Sequence, residues 1–475
     1  MSSIQSEGTE VTPKLQFPSL QGLLKLAIPI SLGMASLSVL SLVETMILGH
    51  YSQVALAASA SANYIFFVFL SAFAGFAIAI QSKVARHFDH QPETAKSFTF
   101  VGLTQLTLLA LTFIALVAIF HREIIAAQID DPELVKQGSE YLWMKSWSLL
   151  PIAILMALRG FWHGINQPKV FLLCLISSHF ITGVGCYALV NGKLGLPEMG
   201  LQGAAVSTVF SMAFGTAILW LMSRTAIKQT STDSSNLSSR SLTSPYSKKQ
   251  FKTGWHLAWP TSLQQVIFAI GTAVFMAIIA KSGVTILAAA HLIITLSLVL
   301  ILPVIGIGMA ATTFISNSYG YFQKGETAHT DCQHWYKLSL TSSILFVVLF
   351  GILLITQPEA VLGMMTDDQE VIDAAYWALI ILAPSLFFEA ITITTKQSLY
   401  AIHRNREVLK VLSVTQWFIL LPVMLTIHIL GVGSLEIYTL LHAGQRAINS
   451  VWLYKIWRTE HKKPVFNQSD IEVMV

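Results

Sequence analysis

Apolar residues run through the chain in long stretches, broken by short polar joints. Each stretch is about 20 residues or longer, the length of helix that crosses the hydrocarbon of a bilayer. About twelve are predicted, at residues 19–48, 55–85, 98–120, 139–163, 169–190, 201–223, 257–280, 286–317, 337–356, 371–402, 407–430 and 434–457. The pattern predicts an all-α polytopic membrane protein. The first stretch is too long and starts too late for a cleaved signal peptide, and the leader Met1–Gln16 carries no basic region, so it is read as a span.

The second half of the pattern repeats the first. At a fixed offset of 231 positions, Pro29 falls on Pro260, Leu56, Ala57 and Ala58 on Leu287, Ala288 and Ala289, and Gly75 on Gly306. After a slip of two residues, the "ETAK" at Glu93 meets the "ETAH" at Glu326. The predicted architecture is therefore two pseudo-symmetric six-helix bundles of like orientation, since six spans return the chain to its starting side. The expected division is a tail at 1–18, a lobe at 19–225, a Ser-rich flexible linker at 226–252, a second lobe at 253–458 and a tail at 459–475. Parallel repeats of this kind place a substrate site at their interface and give alternating access by rocking.

Composition sharpens the reading. Of 475 residues 54% are hydrophobic and 11% charged, against roughly 25% charged in soluble domains. Such a chain cannot coat a water-soluble surface. Lys and Arg collect in alternate joints: Lys83, Arg86 and Lys96; Arg159 and Lys169; the central linker; Arg404, Arg406 and Lys410; Arg458, Lys462 and Lys463. The joints between them are acidic or nearly uncharged, so both termini are expected in the cytoplasm. Cys174, Cys186 and Cys332 have no metal-ligand spacing. No phosphate-cradling G-x-x-x-x-G-K-[ST] loop occurs, since the Gly192–Lys193 pair is followed by Leu194, and no H-E-x-x-H occurs. An ATP-driven pump and a zinc protease are unsupported. No enzymatic activity, cofactor, metal or nucleic-acid partner is expected.

Four segments carry a family resemblance: "LAIPISLGMASLSVLSLVETMILGHYSQVALAA" from Leu26, "LAAAHLIITLSLVLILPVIGIGMAATTFISNSYG" from Leu287, "LRGFWHGINQPK" from Leu158 and "GKLGLPEMGLQGAAVST" from Gly192. In their order along the chain they resemble the multidrug and toxic compound extrusion family of secondary transporters over nearly the whole chain. The resemblance implies a cation-coupled antiporter exporting small organic compounds, in contact with membrane lipids. A monomeric multi-pass protein of a bacterial inner membrane is expected. Sodium-coupled members combine an Asp in helix one with Asn residues in helix five, where this chain carries Glu44, Thr182 and Cys186. A thiol is a poor ligand for a hard cation. Thr182 and Cys186 are thus at most a remnant cation site, and H+ is favoured over Na+. The family's bent first helix makes Pro29 the expected bend, through its missing donor.

Buried charge marks the candidate site. Glu44 and Glu389 lie inside apolar spans, where a charge is expensive unless paired, hydrated or neutralised. Two roles are open to each: coupling-proton carrier, or partner of a neighbouring helix. Lys396 follows Glu389 by seven residues, two turns along the same face, and together they are expected to line the cavity of the second half and set its charge preference. Gln264, Gln265 and His291 are further cavity candidates, and His179 reads as packing. Lys145 is read as a span-end residue whose ammonium reaches the headgroups, leaving Lys396 as the deeply placed cation. The alternative function is a lipid-linked saccharide flippase of the same ancestry, for which several cavity cations are expected.

Overall fold

The computed structural model describes residues 18–89, 91–232, 248–322 and 329–460. The expected tails and Ser-rich linker, and the Glu326 end of the repeat match, fall wholly or largely outside the described residues. The helices are α1 (Leu20–Tyr51), α2 (Gln53–His87), α3 (Pro92–Ala126), α4 (Pro132–Ser146), α5 (Leu149–Gly164), α6 (Pro168–Asn191) and α7 (Gly200–Thr232) in the first half. The second half comprises α8 (Lys248–Ala280), α9 (Val284–Phe322), α10 (His329–Thr356), the short α11 (Pro358–Gly363), α12 (Gln369–Ala401), α13 (Asn405–Ser413), a π-helical turn (Val414–Leu420), α14 (Leu421–Ile429) and α15 (Leu435–Glu460). Among the described residues ten helices are long and apolar enough to cross a membrane, with Asn405–Ile429 counted as one, and the bent pair α4–α5 makes eleven. α15 takes the twelfth place. Its 26 residues reach about 39 Å, but Glu436, Arg446, Lys455 and Arg458 lower its apolar character.

The sequence sets these boundaries by local chemistry. Ser19 caps α1 by accepting from the Gly22 amide at 3.1 Å. Asp131 caps α4 by accepting from the amides of Glu133 and Leu134, and Asp368 caps α12 through Glu370; these side chains satisfy amides that lack helical partners. Pro92, Pro132, Pro168 and Pro358 open their helices, where a missing N–H costs nothing. Inside a helix proline breaks the ladder. Pro151 follows the break between α4 and α5, where the axis turns by 47°. α1, in contrast, runs continuously through Pro29.

Packing separates two bundles. One buried apolar cluster runs from Leu48 of α1 through α7 and takes in Leu257 and Ala258 of α8, a second joins α8 to α15, and a third, containing Leu26, Ala27, Ile307, Phe314, Trp335 and Tyr400, bridges the halves. Across the divide α1 packs on α9 and α2 on α8, the pairs that a two-fold axis exchanges. Two glycines make these contacts close. A methyl group at Gly75 would overlap the backbone of Ser262, and one at Gly306 would overlap the Ser31 hydroxyl and approach the Ala27 carbonyl. Ser31 and Ser262 are separated by the same 231 positions as Gly75 and Gly306. The repeat seen in the sequence is thus a pair of interlobe contacts related by the fold's symmetry.

The lobes are tied at the end that carries Lys83, Arg86 and Arg404. Gln81 Nε2 donates to Met309 O and Thr313 Oγ1, each at 2.8 Å. Ser82 and Ser316 hydroxyls meet at 3.0 Å, Arg86 donates to Ala401 O at 2.7 Å, and Asn317 donates to Asp89 at 2.8 Å.

Candidate functional site

Each lobe sets one acid inside an apolar span, Glu44 buried and Glu389 half-buried, against one buried base. In the first lobe Lys145 comes from the last turn of α4, just before the break that Pro151 imposes, and its side chain turns into the bundle. It is 5% exposed. Its Nζ lies 3.7 Å from Glu44 Oε2 and donates to Asn63 Oδ1 and Tyr141 OH, both at 2.8 Å. The Phe66 ring covers the ammonium at 5.3 Å. Glu44, on α1, accepts in addition from Thr208 Oγ1 on α7 at 3.4 Å. The expected headgroup position of Lys145 is therefore wrong. The helix begins at Pro132 rather than at 139, so Lys145 is 13 residues deep, about 20 Å along its span.

In the second lobe Glu389 pairs with Arg446 of α15, not with Lys396. Arg446 Nε lies 3.4 Å from Glu389 Oε2, an ion-pair distance outside hydrogen-bond geometry. Its two terminal nitrogens donate to Ser385 Oγ at 2.8 Å and Ser297 Oγ at 3.0 Å. One arginine therefore ties α15 to α12 and α9. Lys396 is half-buried on α12, with no hydrogen bond or acid within ion-pair distance among the described residues. The α12 face that bears Glu389, Lys396 and Tyr400 meets α15 through Arg446 at one end and α8 through Tyr400 at the other. It lines the interior of the second bundle. With Glu389 matched by Arg446, the uncompensated charge there is that of Lys396.

The other candidates divide. Gln264 is buried and its Oε1 accepts from Tyr400 OH at 2.9 Å, so that oxygen is already engaged; Gln265 is half-buried. His291 is exposed, with Nδ1 3.1 Å from Thr295 Oγ1 one turn along its own helix. His179 contacts Ser36 Oγ at 3.1 Å. Thr182 and Cys186 are fully buried. The Thr182 hydroxyl bonds Ser178 O and Ser211 Oγ, within the α6–α7 seam. Lys396 is not the lone deep cation, since Lys145 and Arg446 are buried more completely. Arg446 was missed by sequence reasoning, although "GQRAIN" is the polar break in span twelve and a mid-span arginine demands a partner.

Comparison with known proteins identifies the family and the fold. The MatE family matches residues 29–188 and 260–426, one segment in each lobe. The chain is 25% identical over 426 residues to "Probable multidrug resistance protein NorM" of Thermotoga maritima, covering 86% of each. In fold it is similar to the Vibrio cholerae MATE transporter VcmN in the bent form, with a TM-score of 0.81 at 16% identity over 93% of this chain and 97% of that one. It is equally similar to a MOP superfamily transporter from Pyrococcus furiosus described by the reverse polarity of its binding pocket, with a TM-score of 0.80 at 15% identity over 94% and 97%. With a family match in each of two symmetric lobes, the chain belongs to the MatE family of multidrug and toxic compound extrusion transporters and is an integral membrane protein.

Proposed function

We propose that this protein is a proton-coupled antiporter that exports small organic compounds by alternating access, as a monomer in a bacterial inner membrane with both termini in the cytoplasm. The carrying observation is the buried Glu44–Lys145 pair. A proton on Glu44 cancels its attraction for Lys145, while Asn63 and Tyr141 continue to hold the ammonium. That loosens α1 from α4. Because α1 also packs on α9 across the divide, its position is sensed by the other lobe, and the backbone bond missing at Pro29 gives the helix a place to bend.

Sodium suits this site poorly. An ion at Glu44 would sit beside the Lys145 ammonium, and the nearby Thr182 and Cys186 offer an engaged hydroxyl and a thiol. Cargo is assigned to the α12 face, where Lys396 favours zwitterionic or anionic compounds and Gln265 lies on the facing helix α8. Lys145 and Arg446 each face an acid, leaving little free positive charge for the diphosphate of a lipid-linked saccharide, which favours the small-molecule reading.

Proteoliposomes with an imposed pH or sodium gradient, loaded with cationic, zwitterionic and anionic compounds, test the proposal. A pH gradient should drive exchange that Glu44→Gln abolishes. Exchange driven equally by sodium alone, or unchanged in Glu44→Gln, overturns it.

A further inference from the structure

At the tied end one contact between the lobes depends on a histidine staying neutral. Arg86 of α2, 4% exposed, donates through Nη2 to Ala401 O at 2.7 Å, and its Nη1 lies 3.0 Å from His403 Nδ1. α2 belongs to the first lobe; Ala401 ends α12 in the second, and His403 follows it. A guanidinium carries donors only, so Nδ1 must accept and the ring proton sits on Nε2. A protonated imidazole has no lone pair to offer and sets a second cation against the first. The backbone at His403 is in the left-handed region, with φ 64, in a turn closed by its own amide to Tyr400 O at 3.1 Å and by the Arg404 amide to Leu399 O at 2.9 Å. The turn that ends α5 has the same form but carries Asn166, with φ 62, and Asn317 stands 231 positions after Arg86. Only one of the two symmetry-related places therefore holds the titratable pair.

No acid is placed to support a charged His403. Among the described residues no carboxylate lies within ion-pair distance of its ring, and its Nε2 is buried without a hydrogen-bond partner. From α2 it faces Arg86, Lys83 and His87, all basic. Beside it Arg404 is paired with Glu460 of α15, and Asp89 accepts from Asn317 and Tyr321 of α9. Tyr319 of α9 covers the Arg86 guanidinium, and Cys332 of α10 donates to Ile315 O. Arg406, Glu407 and Lys410 of α13 and Lys252 and His256 of α8 are exposed. Burial first, and then the charges of Arg86, Lys83 and His87, hold His403 well below the ordinary histidine range.

We propose that Arg86 and His403 form a pH-sensitive latch between the lobes: opening at the tied end exposes the ring to water, protonation from that side blocks reclosure, and acid therefore favours the open arrangement. An exposed histidine titrates at about 6.5. Well above that pH His403 is neutral in both arrangements and the latch closes at full strength. Below it only the open arrangement takes up the proton, so closure weakens as the pH falls. The open-to-closed ratio scales as one plus ten to the power of about 6.5 minus the pH, a rise of about tenfold from about pH 7.5 to about pH 5.5. On the proposed topology that side is the cytoplasm. The latch is separate from Glu44 and independent of which cargo is carried.

Spin labels on cysteines placed at Lys169 and Lys410, exposed positions near the tied end of opposite lobes, report its opening by the distance between them in the full-length protein, with the three buried native cysteines left in place. From about pH 7.5 to about pH 5.5 the open-to-closed ratio should rise about tenfold, and equally in a Glu44→Gln background, which separates the latch from the coupling site. His403→Gln keeps an acceptor that does not titrate, and His403→Asn supplies the residue that α5 uses in the same turn. In both the ratio should stay flat with pH, and the Tm of each reports folding. His403→Arg, charged throughout, should be open already at about pH 7.5. A pH response that persists in the folded Gln and Asn variants overturns the latch. So does a response absent from wild type or lost in Glu44→Gln, or a His403→Arg variant as closed as wild type.

Discussion

Removing both charges of the Glu44–Lys145 pair should cost clearly less than the sum of removing each alone. At 3.7 Å and an effective dielectric near 20, two unit charges attract by about 4 kcal/mol, within the roughly 3–5 kcal/mol lost when one member of a buried pair is deleted. Lys145→Met should sit at the upper end, because it also strips Asn63 and Tyr141 of their donor and leaves Glu44 with only the 3.4 Å contact from Thr208. Glu44→Gln should sit at the lower end, because Lys145 keeps both neutral partners. The double variant leaves no buried charge, so its loss should fall short of the sum of the singles by roughly 3 kcal/mol. Apparent Tm at a fixed scan rate reads stability, and gradient-driven efflux from proteoliposomes reads coupling. Adding Glu44→Gln to Lys145→Met should therefore cost little further stability, and transport should stay lost. Additive losses would refute the pairing energy, and efflux at the wild-type rate in the double variant would refute Glu44 as proton carrier.

Gly75→Ala and Gly306→Ala should each push α8 or α1 away from the helix it faces and loosen the interface between the halves, because the added methyl has no free space. A cysteine placed at Thr313, fully buried there, should then react several-fold faster with a polar maleimide, and an unchanged rate would contradict the closed interface. Arg446→Leu should lower stability by about 3–5 kcal/mol, since Glu389, Ser385 and Ser297 all lose their partner; adding Glu389→Gln should recover part of the loss in a melting experiment. Lys396→Met should leave the apparent Tm nearly unchanged, for want of any bond to lose, and should shift transport toward cationic cargo. Equal losses for cationic and anionic analogues would place Lys396 outside the cargo site.

The bundle was legible before any coordinates because its signals are local. A helix across a bilayer must be long and apolar whatever surrounds it, so the runs announce themselves one by one, and the 231-residue offset in Pro29, Gly75 and their counterparts announces the duplication. Glu44 and Glu389 stood out for the same reason, as charges where charge is expensive. Their partners did not. Lys145 passed for an interfacial residue because hydropathy places a helix end poorly, and seven residues at the Pro132 end decide whether an ammonium meets headgroups or a carboxylate. Arg446 lay 57 residues from Glu389 in the chain, and Lys83, counted among the basic residues of a joint, is enclosed by three helices from both lobes. Composition and periodicity alone determined that the chain crosses the membrane about twelve times in two related halves, with an acid inside an apolar span in each. Which base answers each acid, and which cations go unanswered, was decided only by tertiary structure, because helix rotation and the bend before Pro151 fix side-chain direction, and both are set by packing between helices distant in sequence.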